Sequence, residues 1–141
     1  MEKFKARDQY IGQLEVIAAV ATYSSLPLQF RERDVIHFID NTGALVGIAK
    51  GYSKDVDSAR LINVFHTIAA AIMVNAWFEY VPSAANIADL PSRMDMELLT
   101  QLGSVPFKIV WPDPSEWHGG LEDLFERISR PGAPRKRKRS L

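Results

Sequence analysis

The sequence predicts an α/β fold, and two observations carry that reading. Residues 35–39, Val-Ile-His-Phe-Ile, make a short and nearly continuous apolar run. Such a run marks a strand buried on both faces, with helices packed above and below a partly parallel sheet. Around it, apolar residues recur at helical spacing over 11–24 and 59–75, and a second run rich in aromatic and β-branched residues follows at 77–81. Helix, strand, helix, helix, strand is the order from which α/β layers are built.

Residues 1–9 are polar and charged, with a weak alternation at Phe4 and Ala6 that reads as the remnant of one strand. From Ile11 to about Ser24, Ile11, Leu14, Ile17, Ala18 and Ala21 share one helix face. Glu15 projects from the edge of that face. A carboxylate there either reaches back to solvent or is retained because it is paired or holds a metal. Leu26-Pro27-Leu28 stops the helix, since proline cannot continue it. The strand at 35–39 then delivers Asp40 at its C-terminal end, where rigid backbone aims side chains into a crevice. Asp40 is open to two roles, cap of the next helix or metal ligand.

A short helix over 43–50, closed by Gly51-Tyr52-Ser53, is followed by a longer one over 59–75 with Asp57-Ser58 as its cap. Leu61, Val64, Phe65, Ile68 and Ile72 form its buried stripe, and His66 reads as a packing or surface residue. The aromatic strand at 77–81 ends at Pro82. Asp89 comes after the following loop, again as either a cap or a ligand. A helix over 95–102 stops at Gly103, 107–111 is extended, and 121–128 is a short amphipathic helix. The expected core is Leu14, Ile17, Ala18, Val35, Ile36, Phe38, Leu61, Phe65, Ile68 and Ile72. The expected organisation is a remnant strand over 1–10, a core over 11–102, an extension over 103–130 and a disordered basic tail over 131–141.

Composition narrows the function. A chain of 141 residues with 47% hydrophobic and 24% charged residues is one globular domain with a real core. No apolar run approaches the roughly 20 residues that span a bilayer. The charged start has no signal-type apolar run behind it, so a nuclear or cytoplasmic location is expected, without secretion or membrane association. With no cysteine, a metal must be held by oxygen or imidazole, and oxygen ligands point to magnesium or manganese. Five of the 17 basic residues lie in Arg135-Lys136-Arg137-Lys138-Arg139, which leaves 12 basic against 17 acidic residues elsewhere. A body that acidic attracts a nucleic-acid backbone only through a local basic patch or the tail.

Three carboxylates stand out: Glu15 on a helix, Asp40 at a strand end, and Asp89 after a later strand and loop. With their surroundings they resemble the ribonuclease H domain that follows the reverse transcriptase in retroelements, particularly the tyrosine-recombinase and related retrotransposon groups. The matching stretches are Gln13-Leu14-Glu15-Val16-Ile17-Ala18-Ala19, Phe38-Ile39-Asp40-Asn41, and Val81-Pro82-Ser83 with Asn86-Ile87-Ala88-Asp89-Leu90-Pro91-Ser92-Arg93, and Lys50-Gly51 closes the helix after Asp40 as in that family. The resemblance implies a ribonuclease H-like fold and hydrolysis of the RNA strand of an RNA/DNA hybrid by two magnesium or manganese ions. Glu15, Asp40 and Asp89 would be catalytic metal ligands, Asp89 on the more mobile element.

One departure bears on activity. The family's sheet begins with a three-stranded meander whose first strand carries the Asp shared by both metals, and about ten residues precede the Glu15 helix here. Glu2 and Asp8 are the acidic residues among them, and neither sits at the centre of an apolar strand. The chain therefore reads as the C-terminal two-thirds of the domain, a truncated mixed sheet covered by helices with an exposed edge open to strand addition. Three functions follow as expectations. The chain is a metal-dependent nuclease completed by an upstream reverse transcriptase segment, a non-catalytic module binding nucleic acid or protein, or a relic. The basic run resembles a nuclear-localisation signal, and a solvated end or non-specific nucleic-acid contact fits it equally.

Overall fold

The computed structural model describes residues 5–113, 115 and 120–130, with side chains from Tyr10 onward. The helix α1 (Lys5–Ser25) starts earlier than expected. Residues 5–10, expected as the end of a remnant strand, form its first turns, and residues 1–4 and the basic tail lie outside the described residues. Pro27 opens the short α2 (Pro27–Phe30), where its missing N–H costs nothing. Strands β1 (Asp34–Ile39) and β2 (Asn75–Tyr80) pair in parallel, in register from Asp34 with Asn75 to Ile39 with Tyr80.

Between the strands run α3 (Thr42–Lys50) and α4 (Val56–Ala71). Gly51 ends α3 at φ 69°, the left-handed conformation that glycine adopts without a Cβ penalty. The cap of α4 is Asp55, two residues before the expected Asp57-Ser58, with its Oδ2 accepting from the Ser58 N–H at 2.7 Å. After β2, three one-turn 3-10 helices (Ser83–Ala85, Ile87–Asp89, Pro91–Arg93) lead to α5 (Met96–Gln101), capped by Asp95. The helix α6 (Leu121–Ser129) packs on α4 through the buried Leu124 and Ile128.

The core lies where α1, α3, α4 and α6 meet one face of the sheet. Leu61, Phe65, Ile68 and Ile72 are buried there as expected. On α1, however, the buried stripe is Val16, Ala19, Val20 and Tyr23, while Leu14 is 61% exposed, Ala18 is exposed and Ile17 is only partly buried. This helix is apolar along two neighbouring stripes, and the one with the larger Tyr23 meets α4. Tyr23 stacks on Phe30 at 4.6 Å and meets the edge of Phe65 at 4.9 Å.

The sheet departs from expectation in the same way. Val35, His37 and Ile39 turn toward the helices, whereas Ile36 and Phe38 on β1 and Trp77 on β2 are 63%, 58% and 66% exposed. The described sheet is thus two-stranded and parallel, not mixed, and it is covered on one face only. Among the described residues, no helix is long and apolar enough to cross a membrane.

Candidate functional site

Asp40 sits at the junction of two tightly held elements. Before it, Ile39 is buried at 2% exposure and its carbonyl accepts from the Val81 N–H at 3.1 Å. After it, Asn41 caps α3: its Oδ1 accepts from the Ala44 N–H at 2.9 Å and its carbonyl from the Leu45 N–H at 2.9 Å. Capping therefore falls to Asn41, and the Asp40 carboxylate is left for another role. Parallel pairing also brings the loop after β2 out at the same end of the sheet, the usual place for a site in such folds.

Glu15, on α1, reaches that end. Its carboxyl lies beside that of Asp40, and its pKa is raised above the usual 4.5. Burial is the largest cause, followed by the charge of Asp40, the hydrogen bond to Asp40 and the more distant charge of Asp89. Two carboxyl groups can share a hydrogen bond only when one holds a proton. In its absence they repel unless a cation lies between them.

Asp89 stands apart from this pair. It ends the second 3-10 turn, and its Oδ2 accepts from Arg93 Nη2 at 3.4 Å. The capping role open to it is not taken up, since Asn86 caps that turn through Ala88 N–H and Asp95 caps α5 through Leu98 N–H. The structure thus sets Glu15 beside Asp40 and leaves Asp89 acting on Glu15 through its field. Among the described residues, no three His, Cys, Asp or Glu side chains are grouped so as to hold a metal ion.

Two open clefts flank the N-terminal end of α4. One, about 410 Å³, borders Asn41 and is lined by Gly12, Val16, Ala44, Lys54 and Ser58 among others, with Gln13 and Asp55 bonded at 3.0 Å nearby. The other, about 380 Å³, lies by Ala59, Arg60, Asn63 and Leu121, and neither cleft is lined by Glu15, Asp40 or Asp89. His66 is a surface residue whose Nε2 lies 2.8 Å from the Ile48 carbonyl at the end of α3, in keeping with a structural part. Sequence reasoning missed Arg93, which it treated only as the end of a motif. Its place four residues after Asp89 is the spacing at which opposite charges meet on a helical turn. Comparison with family models, with curated proteins and with solved structures returned no match.

Proposed function

We propose that this chain is a ribonuclease H-like segment in which Glu15 and Asp40 hold a divalent cation, magnesium or manganese, for cleavage of the RNA strand of an RNA/DNA hybrid. The observation behind it is the proximity of the Glu15 and Asp40 carboxyls at one end of the sheet, which with burial raises the Glu15 pKa. Oxygen donors suit these ions, and magnesium typically takes one or two carboxylates, filling its remaining positions with water and phosphate oxygens. When bound, such an ion polarises a phosphoryl oxygen and lowers the pKa of an attached water.

The chain's own residues have simpler tasks. Asn41 fixes the backbone after Asp40 by capping α3. Glu15 and Asp40 concentrate negative charge at one end of the sheet, and Lys54 in the adjoining cleft offers a phosphate a cation. Two adjacent cations need more carboxylates than this pair supplies, so we assign the pair one ion and expect little or no cleavage by the chain alone. A second reading, a non-catalytic module that binds nucleic acid or protein, is favoured by the engagement of Asp89 with Arg93.

The test is an RNA/DNA hybrid assay with manganese, run on this chain and on one extended upstream by a strand bearing an Asp. Cleavage by the extended chain that disappears in Asp40→Asn supports the nuclease reading. Hybrid binding without cleavage in both chains supports the module. If neither chain binds hybrid, both readings fail.

A further inference from the structure

We infer that two copies of this chain associate by exchanging strands: residues 107–111 of each copy add, antiparallel, to the outer edge of β1 in the other. The parallel pairing defines that edge. Main-chain groups along a strand point alternately to its two sides, and β2 takes the carbonyls of Arg33 and Ile39, which accept from the Asn75 and Val81 N–H at 2.9 and 3.1 Å. The odd-numbered residues of β1 therefore face β2. Asp34, Ile36 and Phe38 turn their N–H and carbonyl groups outward, where no third strand lies among the described residues. An unpaired edge of this kind is a template for another strand.

The same chain holds a strand to match. After α5, residues 104–113 form no helix, turn or bend. Val110 is fixed to the end of α1, where its N–H donates to Ser25 Oγ at 2.8 Å and its carbonyl accepts from Ser24 Oγ at 2.7 Å. With Val110 turned to α1, the half-exposed Phe107, Ile109 and Trp111 turn their main-chain groups the other way, and among the described residues those groups make no hydrogen bond. The arm can thus take a second copy without leaving its place. An antiparallel register sets Phe107 opposite Phe38, Ile109 opposite Ile36 and Trp111 opposite Asp34, giving one aromatic and one aliphatic pair of the kind that stabilises a sheet. Pro106 and Pro112 cannot donate to a ladder, so they end the added strand at both sides. Each opposed pair exchanges two bonds, about twelve in a two-fold pair of copies. Roughly 20 residues take part, and at the usual 30–40 Å² each they bury about 700 Å², too little for a permanent dimer. The complex is therefore reversible, with a Kd on the order of tens of micromolar. The added strand lies beside Phe38 and leaves its ring open.

Sedimentation equilibrium of the full chain up to about 500 μM tests this, with circular dichroism of each variant as the check on folding. A monomer–dimer equilibrium is expected. Ile109→Pro, which deletes the central donor of the arm, should weaken it at least about tenfold, whereas Trp77→Lys, on the open face but away from the edge, should change it less than about threefold. Crosslinking reads the register without a proline. The chain has no cysteine, so an Ile36→Cys chain can be mixed with an Ile109→Cys chain and oxidised. Opposed residues of a hydrogen-bonded antiparallel pair lie about 5.5 Å apart at Cα, within reach of a disulfide, so the mixed product should exceed either like pair. A chain that stays monomeric, an assembly that grows past the dimer, or a dimer untouched by Ile109→Pro overturns the inference. So does a dimer that Trp77→Lys abolishes or that crosslinks mainly through two copies of position 36, since either places the contact on the open face.

Discussion

Replacing Glu15 with glutamine should stabilise the cation-free chain at neutral pH, although it removes a charge that a surface view would call harmless. The Glu15 carboxyl is partly buried, lies beside Asp40 and feels the field of Asp89, and all three raise its pKa. Two unit charges 4 Å apart repel by about 1 kcal/mol in bulk water and about 4 kcal/mol at an effective dielectric constant near 20. Both side chains are still partly open to solvent, so screening places the gain near the lower figure, about 1–2 kcal/mol. For a chain of this size that is a rise in Tm of about 3–6 °C. The amide also keeps a donor for Asp40, as protonated Glu15 does.

The pH dependence fixes the cause. Because the folded pKa of Glu15 is raised, its penalty is fully present above that folded value, fades as pH falls through it, and is gone below the unfolded value of 4.5. Thermal unfolding followed by circular dichroism should therefore show the advantage of Glu15→Gln at about pH 7 and its disappearance by about pH 3.5. With manganese in excess the order should reverse, because only the parent gains binding free energy, about 2.7 kcal/mol at a hundred times Kd. A variant less stable than the parent at neutral pH without metal would show that the two carboxylates do not repel, and the reasoning from their contact would fail.

Other perturbations probe the fold around the site. His37 stacks on Tyr23 at 5.7 Å with Nδ1 3.3 Å from the tyrosine hydroxyl, and burial lowers its pKa below 6.5. Stability should be full above 6.5 and fall as pH drops toward the lowered folded value, by at most about 1.4 kcal/mol per pH unit, and acid titration of unfolding in His37→Phe should lack that slope. On the same strand, Ile39→Ala should cost about 2–5 kcal/mol, because Ile39 is buried in the core. Phe38→Ala should cost under about 1 kcal/mol because that ring is already 58% exposed, so equal losses in denaturant titrations would mean that the open sheet face is covered in solution.

Much of the fold was legible because strong local signals coincide with tertiary ones. The run from Val35 to Ile39, the turn at Gly51 and the stripe from Leu61 to Ile72 lie where periodicity and turn chemistry put them. The α1 face was not legible, since Leu14, Ile17 and Ala18 lie beside Val16, Ala19 and Val20 on one continuous apolar arc. Only the partner helix decides which stripe is buried, and α4 chose the stripe with Tyr23. Ile36 and Phe38 misled for a different reason. A continuous apolar strand states what it can bury, while exposure depends on which neighbours cover it. At the site, Glu15 stood out as a carboxylate at a costly place and Asp40 as one delivered by a strand end, and the structure sets the two side by side. The engagement of Asp89 by Arg93 was hidden because a lone arginine in a polar loop carries no signal until its partner's geometry is known.

The most direct test of a cation between Glu15 and Asp40 is a manganese titration of the ¹⁵N-labelled chain, because a bound paramagnetic ion broadens the amide signals nearest to it. At substoichiometric manganese, we expect the amides of Glu15, Asp40 and Asn41 to disappear first, with those around Asp89 following, and the same signals to persist in Asp40→Asn. Broadening that begins instead at the exposed Glu122 and Asp123 of α6, or that is unchanged by Asp40→Asn, would contradict a cation site at this end of the sheet.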